Sequence, residues 1–399
     1  MDNIQRKQKW SWTTGNMAIF SLAIYIATVF VFSSNEELNI ISQAAFFVMC
    51  ACSFLYILTE KRAFYVNGTV LWLFGLFLLA FASLSWSMDV TYGTGKIITL
   101  VQLIILCIFA NVIIDTPYKV SFTINSIIFS GYVMYFYTFA TIGIDGVLSM
   151  LADEVRIGGN VNQENAFGYY SAIVFAFALY QFIYNKKRWQ IVFLPLPVLM
   201  GLMSGSKKCL LLLLVATFLL IALKDKKKLI TRAAFALAII ALLAFILYRL
   251  GVMELVLNRF DDALQGKDTS TIKRQLYIDF GLEKIKERPI LGYGIEQYGL
   301  LFEQTFGSFH PSHNNYIQIA VSFGIIGLSF WYGAYVYFLI VGVKHFYKNN
   351  MAPLLVFITL MTFVNDITTT TLLNKFTYVL LALCFAIASL IKKEANEGK

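Results

Sequence analysis

Charge is what this chain has least of. Only 14% of its 399 residues are Asp, Glu, Lys or Arg, against 58% that are apolar, and the mean hydropathy is +0.69. So little polar surface excludes an ordinary water-soluble domain and leaves a polytopic membrane protein. Cysteine is scarce too: Cys50, Cys52, Cys107, Cys209 and Cys384 lie in or beside apolar runs, none at CxxC or Cys/His ligand spacing. Cys50 and Cys52, two apart on a helix, point in different directions and are poorly placed to chelate. They read as packing residues. No acidic metal cluster, internal repeat or low-complexity linker is visible, so no metal or cofactor is expected and residues 1–399 form one transmembrane domain. The net charge of +9 does not point to nucleic acid, because the basic residues sit mainly in short gaps between apolar runs.

What is present is a succession of such runs. A bilayer core takes about 20 apolar residues per helix, and runs of that kind fall at about 16–33, 40–59, 69–86, 96–115, 120–142, 165–184, 190–204, 208–223, 233–251, 314–343, 351–371 and 375–391. Arg6, Lys7 and Lys9 before the first run resemble a signal peptide, but no small-residue cleavage site follows Phe32, so a retained span is expected. With both termini cytoplasmic, the cytoplasmic gaps hold Lys61, Arg62, Lys119, the Lys186-Lys187-Arg188 and Lys224–Arg232 clusters, Lys344, Lys348, Lys392, Lys393 and Lys399. The short opposite gap at 33–39, with Glu36 and Glu37, is acidic. The expected fold is therefore all-α: about twelve transmembrane helices with a large extracytoplasmic loop, 252–313, between the ninth and tenth.

A loop of that length among such short connections is a working part rather than a linker. Thr269-Ser270-Thr271 predicts a helix start, Ile272, Leu276, Phe280 and Ile285 share one face, and Pro289 ends the helix. It would lie on the outer surface, with Lys273, Arg274 and Tyr277 facing inward or to water. Leu291-Gly292-Tyr293-Gly294 reads as a turn. Two further outer stretches carry charge against the topological bias, Arg156 ahead of the sixth span and Lys207-Lys208 between two short ones. Snorkelling to headgroups is the plain alternative for them.

The best chemical residue is His313, where the tenth span begins. The positive end of a helix dipole disfavours imidazolium, so a neutral ring there can take a proton from an attacking hydroxyl. Ser312 is a candidate cap, and the free N–H groups favour a nearby anion. A polar anchor for the helix end is the competing reading. His310 ranks below His313, and His345 lies in a Lys-rich cytoplasmic gap. Arg156, Lys207, Lys208 and Arg274, all on one side of the membrane, would clamp a diphosphate, so that base and clamp suit transfer from a lipid diphosphate donor to a hydroxyl. Asn365 and Asp366 interrupt the eleventh span: a functional site or a hydrogen-bond hub.

His313-Asn314, then Gly324 and Gly327, resemble the H[NSQ]-x9-G signature of the O-antigen ligase and O-antigen polymerase superfamily of bacterial envelope polysaccharide enzymes. Arg156 to Asn160, Ser204-Gly205-Ser206-Lys207, Arg274 and Arg288-Pro289-Ile290-Leu291-Gly292-Tyr293-Gly294 resemble its other landmarks in order. Lys207 departs from the usual Arg, replacing a bidentate fork by a point charge that Lys208 could share. The resemblance implies a GT-C-like, inverting, metal-independent glycosyltransferase of the bacterial cytoplasmic membrane, without cofactor, acting on undecaprenyl-diphosphate-linked glycans. His313 takes the base position and Arg274 a phosphate-binding one, with Asn314, Tyr277 and Asp366 in support. Membrane lipid, a chain-length regulator and a flippase are candidate partners. A polymerase of repeat units comes first, and a ligase delivering finished glycan to lipid A core or protein is its alternative. A lipid-oligosaccharide transporter fits less well, because ionisable residues gather at the outer face rather than along a central path.

Overall fold

The computed structural model describes residues 13–33, 35, 37–60, 67–153, 155–161, 163–249 and 269–397. Arg6, Lys7, Lys9, Glu36, Lys61, Arg62, Lys399 and the 252–268 part of the expected loop lie outside the described residues. Among the described residues every regular element is helical: α1 (Thr14–Phe32), α2 (Asn39–Thr59), α3 (Gly68–Ala82), α4 (Val90–Ile113), α5 (Pro117–Ile142), α6 (Ile144–Ala152), α7 (Glu164–Ile183), α8 (Pro195–Met203), α9 (Lys207–Ala222), α10 (Leu229–Arg249), α11 (Thr269–Glu287), α12 (Tyr298–Phe306), α13 (Asn315–His345), α14 (Ala352–Asp366) and α15 (Lys375–Glu397). Several starts are written locally. Thr13, Asn67, Asp89, Thr116, Ser206 and Asn314 each accept a first-turn backbone N–H with the side chain.

Each expected apolar run overlaps helix among the described residues, and among these seven helices are long and apolar enough to cross a membrane: α1, α2, α3 with its 3-10 extension to Trp86, α4, α7, α13 and α15. The run expected at 190–204 is a 3-10 turn, Arg188–Phe193, followed by the nine-residue α8. Pro195 opens α8 and Pro197 follows inside its first turn, where missing N–H groups cost no helical bond. Helices α7 and α15 form the centre, buried over most of their length. The rings of Phe30, Tyr170 and Phe376 meet there, with centroids 4.5 to 5.1 Å apart.

The element that positions the site is the broken helix α13. Gly324 stands at φ 64°, ψ −159°, a conformation that only glycine adopts freely, and it separates 315–323 from 325–345. The break frees backbone groups that a helix would pair. Segment 289–294 pairs them instead: Tyr293 N–H donates to Val321 O (2.8 Å), Gly294 N–H to Ser322 O (2.9 Å), and Ile325 N–H to Pro289 O (2.9 Å). The approach leaves no room for side chains. A Cβ on Gly292 would lie 2.4 Å from Val321 O, and one on Gly324 would lie 2.1 Å from Ile290 O. Gly292-Tyr293-Gly294 is thus more than the turn expected from sequence: it is the partner of the break.

Residues 83–89 hold the same segment from its other side. Trp86 Nε1 donates to Leu291 O (3.2 Å), Ile295 N–H to Ser83 Oγ (3.1 Å), and the Gln297 amide exchanges two bonds with the Asp89 backbone. Helices α11 and α12 close a small second core on α13, made of Tyr277, Phe280, Tyr293, Tyr298, Leu301, Phe302, Ile317 and Val321. This corrects the expected face of α11. Ile272 and Leu276 are exposed, and the buried side runs through Tyr277 and Phe280, with Ile285 half-buried, because α13 offers its contact one position further round.

Candidate functional site

A cavity of about 850 Å³ opens where the 159–166 loop, the first turns of α11, residues 311–313 and the 368–376 connection converge. Arg274, Tyr277 and His313 line it, joined by Asn165, Lys273 and Lys375. Three of the residues singled out from sequence therefore share one space. Arg156, Lys207, Lys208, Asn314 and Asp366 do not line it, and each has a definite place around it.

His313 sits at φ 50°, left-handed backbone that an L-residue adopts at a cost of about 1–2 kcal/mol. Its neighbours hold it there. Asn314, not Ser312, is the N-cap of α13, accepting from Ile317 N–H at 3.1 Å. Ser312 instead braces the turn, its hydroxyl donating to Asn314 O (2.7 Å) and within 2.9 Å of Gln318 Oε1. The Tyr277 ring lies 5.7 Å from the His313 ring and 5.5 Å from that of His310, so one aromatic face backs both imidazoles. Burial lowers the pKa of His313, and the charges of Arg274 and His310 lower it further. At neutral pH the ring is neutral and can accept a proton.

Arg156 ties two loops together below the cavity. Its Nε donates to Ser204 O (2.7 Å), another guanidinium N–H donates to Asn165 Oδ1 (2.8 Å), and Glu164 is 3.6 Å away. Asn165, which lines the cavity, is thereby fixed by an arginine that does not. Lys207 is the half-buried first residue of α9. Lys208 is 9% exposed, and its ammonium donates to Asn365 Oδ1 (2.6 Å) and Thr369 Oγ1 (2.8 Å) beside the Tyr169 ring. Asp366 is the hub of a hydrogen-bonded cluster. Its carboxylate accepts from Asn315 Nδ2 (3.0 Å), Tyr332 OH (2.8 Å) and Thr371 Oγ1 (2.8 Å), while Asn315 Oδ1 accepts from Thr371 and Leu372 N–H. The start of α13, and with it His313, is fastened to the 367–372 turn through these bonds.

Two groups escaped the sequence reading. Lys375 belongs to the last span by pattern, yet it lines the cavity, with Nζ 2.5 Å from Asn39 Oδ1. Glu296, at φ 58°, accepts from Gln318 Nε2 (3.0 Å), and Gln318 in turn meets Ser312. Burial pushes the Glu296 carboxyl up to about 7, against the opposing pull of Lys96 and of the Gln318 bond. Only its place two residues after Gly294 hinted at it. Among the described residues no group of three or more His, Cys, Asp or Glu side chains is placed to hold a metal ion.

Residues 192–332 match the family model described as O-antigen ligase, a stretch that holds the 204–208 turn, Arg274, the 288–294 segment, His313 and Gly324. No curated protein matches the chain. The family match supports the O-antigen ligase and polymerase superfamily.

Proposed function

We propose that this chain, as a member of the O-antigen ligase and polymerase superfamily, is a glycosyltransferase that polymerises undecaprenyl-diphosphate-linked oligosaccharide repeat units outside the bacterial cytoplasmic membrane. The observation that carries the reading is the cavity itself. A half-buried imidazole kept neutral by its surroundings shares about 850 Å³ with the Arg274 guanidinium and two lysines.

In this reading an acceptor sugar hydroxyl lies against His313 and attacks the anomeric carbon of the donor from the face opposite the diphosphate. The new C–O bond forms as the anomeric carbon–phosphate oxygen bond breaks, the configuration inverts, and the hydroxyl proton passes to the imidazole. The departing diphosphate takes the bonding electrons, and Arg274, Lys273 and Lys375 meet its charge without a metal. A positioned base of this kind contributes about 10²–10⁴ in rate. Arg156, Lys207 and Lys208 surround rather than line the cavity, so their part is to hold its walls and shape the field.

The twelve-span topology, with cytoplasmic termini and 252–313 outside, belongs to the same proposal. The overlap of each expected run with helix among the described residues, and the fall of the basic clusters in alternate gaps of the sequence, support it. The family match supports a ligase equally, with a finished glycan moved to lipid A core or to a protein.

The test is reconstitution in liposomes with lipid-linked repeat units and gel analysis beside His313→Ala. A ladder that needs His313 is expected. A single shift of an added acceptor would mean ligase, and a ladder undiminished in His313→Ala would remove the proposed base.

A further inference from the structure

A cavity larger than the one beside His313 lies elsewhere among the described residues. About 1380 Å³ opens between α7, α8, α9 and α10, walled by apolar side chains such as Phe175, Leu179, Leu199, Ile221, Phe235 and Ile239. That exceeds the roughly 300–1,000 Å³ of ordinary small-molecule pockets. At one end stand four cations, Lys186, Arg188, Lys224 and Arg232.

Helix α7 measures the separation of the two cavities. Glu164 at its start lines the His313 cavity and Ile183 at its end lines this one, and 20 residues rise about 30 Å, the thickness of a bilayer core. The cations therefore sit at the opposite membrane face. From Ile183 back to Phe175 the groove runs about 12 Å along α7, within the hydrocarbon depth of one leaflet.

Placing cations at that face is what topology requires; gathering four of them around the mouth of an apolar groove is not. They come from two separate connections and the first turn of α10, and among the described residues none of the four makes an ion pair. The nearest carboxylate in sequence, Asp225, accepts from the Lys227 backbone. Lys224 donates to the Ile183 carbonyl and lies 5.4 Å from the Tyr184 ring. Burial lowers its pKa, and the neighbouring charges of Arg232 and Lys186 lower it further, so an anion among them would relieve the repulsion.

We propose that this groove holds an anionic glycerophospholipid of the leaflet opposite the His313 cavity, its phosphate among Lys186, Arg188, Lys224 and Arg232 and its acyl chains along the α7–α10 walls. A basic mouth between transmembrane helices is the chemistry that selects such a headgroup, and the apolar depth selects a lipid over a free anion.

The full chain, purified from nanodiscs of phosphatidylcholine and phosphatidylglycerol, tests this by native mass spectrometry. Retained phosphatidylglycerol is expected to exceed phosphatidylcholine roughly ten-fold relative to the input, and Lys224→Gln/Arg232→Gln is expected to erase that preference. Leu199→Trp, which narrows the groove, is expected to weaken lipid retention with the cations intact. Should the double variant not fold, Arg188→Gln, an exposed change, is expected to reduce the preference by itself. Equal retention of both lipids, or unchanged preference in the folded variants, would overturn the site. Inorganic phosphate that raises the melting temperature as much as phosphatidylglycerol would overturn the lipid and leave an anion site.

Discussion

Replacing Gly324 by alanine tests how the site is held. The added Cβ would stand 2.1 Å from Ile290 O and 2.2 Å from its carbonyl carbon, and the φ, ψ pair belongs to a region that costs a non-glycine residue about 1–3 kcal/mol. Neither backbone can yield alone. Relief comes when segment 289–294 lifts from α13, giving up three backbone hydrogen bonds of roughly 1 kcal/mol each. The expected loss is about 5 kcal/mol, taken locally rather than by the whole bundle. Gly333→Ala, in the same helix with nothing within 4 Å of its Cβ, is the control and is expected to be neutral or slightly stabilising. Limited proteolysis of the purified protein should cut Gly324→Ala within 288–297 while the control resists, and chain extension should fall at least 100-fold. If Gly324→Ala matched Gly333→Ala in protease resistance, melting temperature and product ladder, the docking of the segment on the break would not be what holds the site.

Asp366→Asn turns an acceptor of three donors into a group that brings N–H atoms of its own, and is expected to cost about 3 kcal/mol and most of the activity while leaving the cavity lining unaltered. Thermal melts beside the product ladder check both. If His313 is the base proposed above it must be neutral to act, and with its pKa lowered from 6.5 activity is expected to fall only as pH drops below that value; His310→Asn, which removes one lowering charge, should move the acid limb upward in a pH–rate profile. Glu296 carries a carboxyl raised from 4.5 to about 7, so the folded chain holds that proton more tightly than the unfolded one. Stability should therefore decline by up to ~3 kcal/mol as pH rises from about 4.5 to 7, and Glu296→Gln should flatten that slope in melts across the range.

Much of this was legible in the chain. Apolar runs marked the helices because a bilayer-crossing helix must be apolar over its whole length, whatever it packs against. Asn314 and Gly324 stood out through their resemblance to the H[NSQ]-x9-G signature, and Arg274, Tyr277 and His313 do meet in one cavity. What stayed hidden depended on partners distant in sequence. A glycine inside an apolar run looks like a small residue tolerated by packing, and nothing near Gly324 says that 289–294 will take its freed hydrogen bonds. The face of α11 was misjudged for a similar reason: Ile272 and Leu276 are as apolar as Phe280, and only the position of α13 decides which of them is covered. Lys208 carried the same charge in either role, but its direction is set by Asn365 and Thr369, more than 150 residues away.

The bonds that fasten Asn315 reach 51 residues on to Asp366 and 56 and 57 residues on to Thr371 and Leu372. Synthesis and membrane insertion run from the N-terminus, so the segment bearing His313 enters its place before its anchors exist. The groove at the opposite face, built from α7 to α10, has all its walls by then. On the proposed reading, catalytic competence is thus a property that this chain acquires last, when the turn between α14 and α15 closes over the head of α13. A ribosome-stalled or truncated chain ending short of that turn would be inserted, folded over most of its length, and silent.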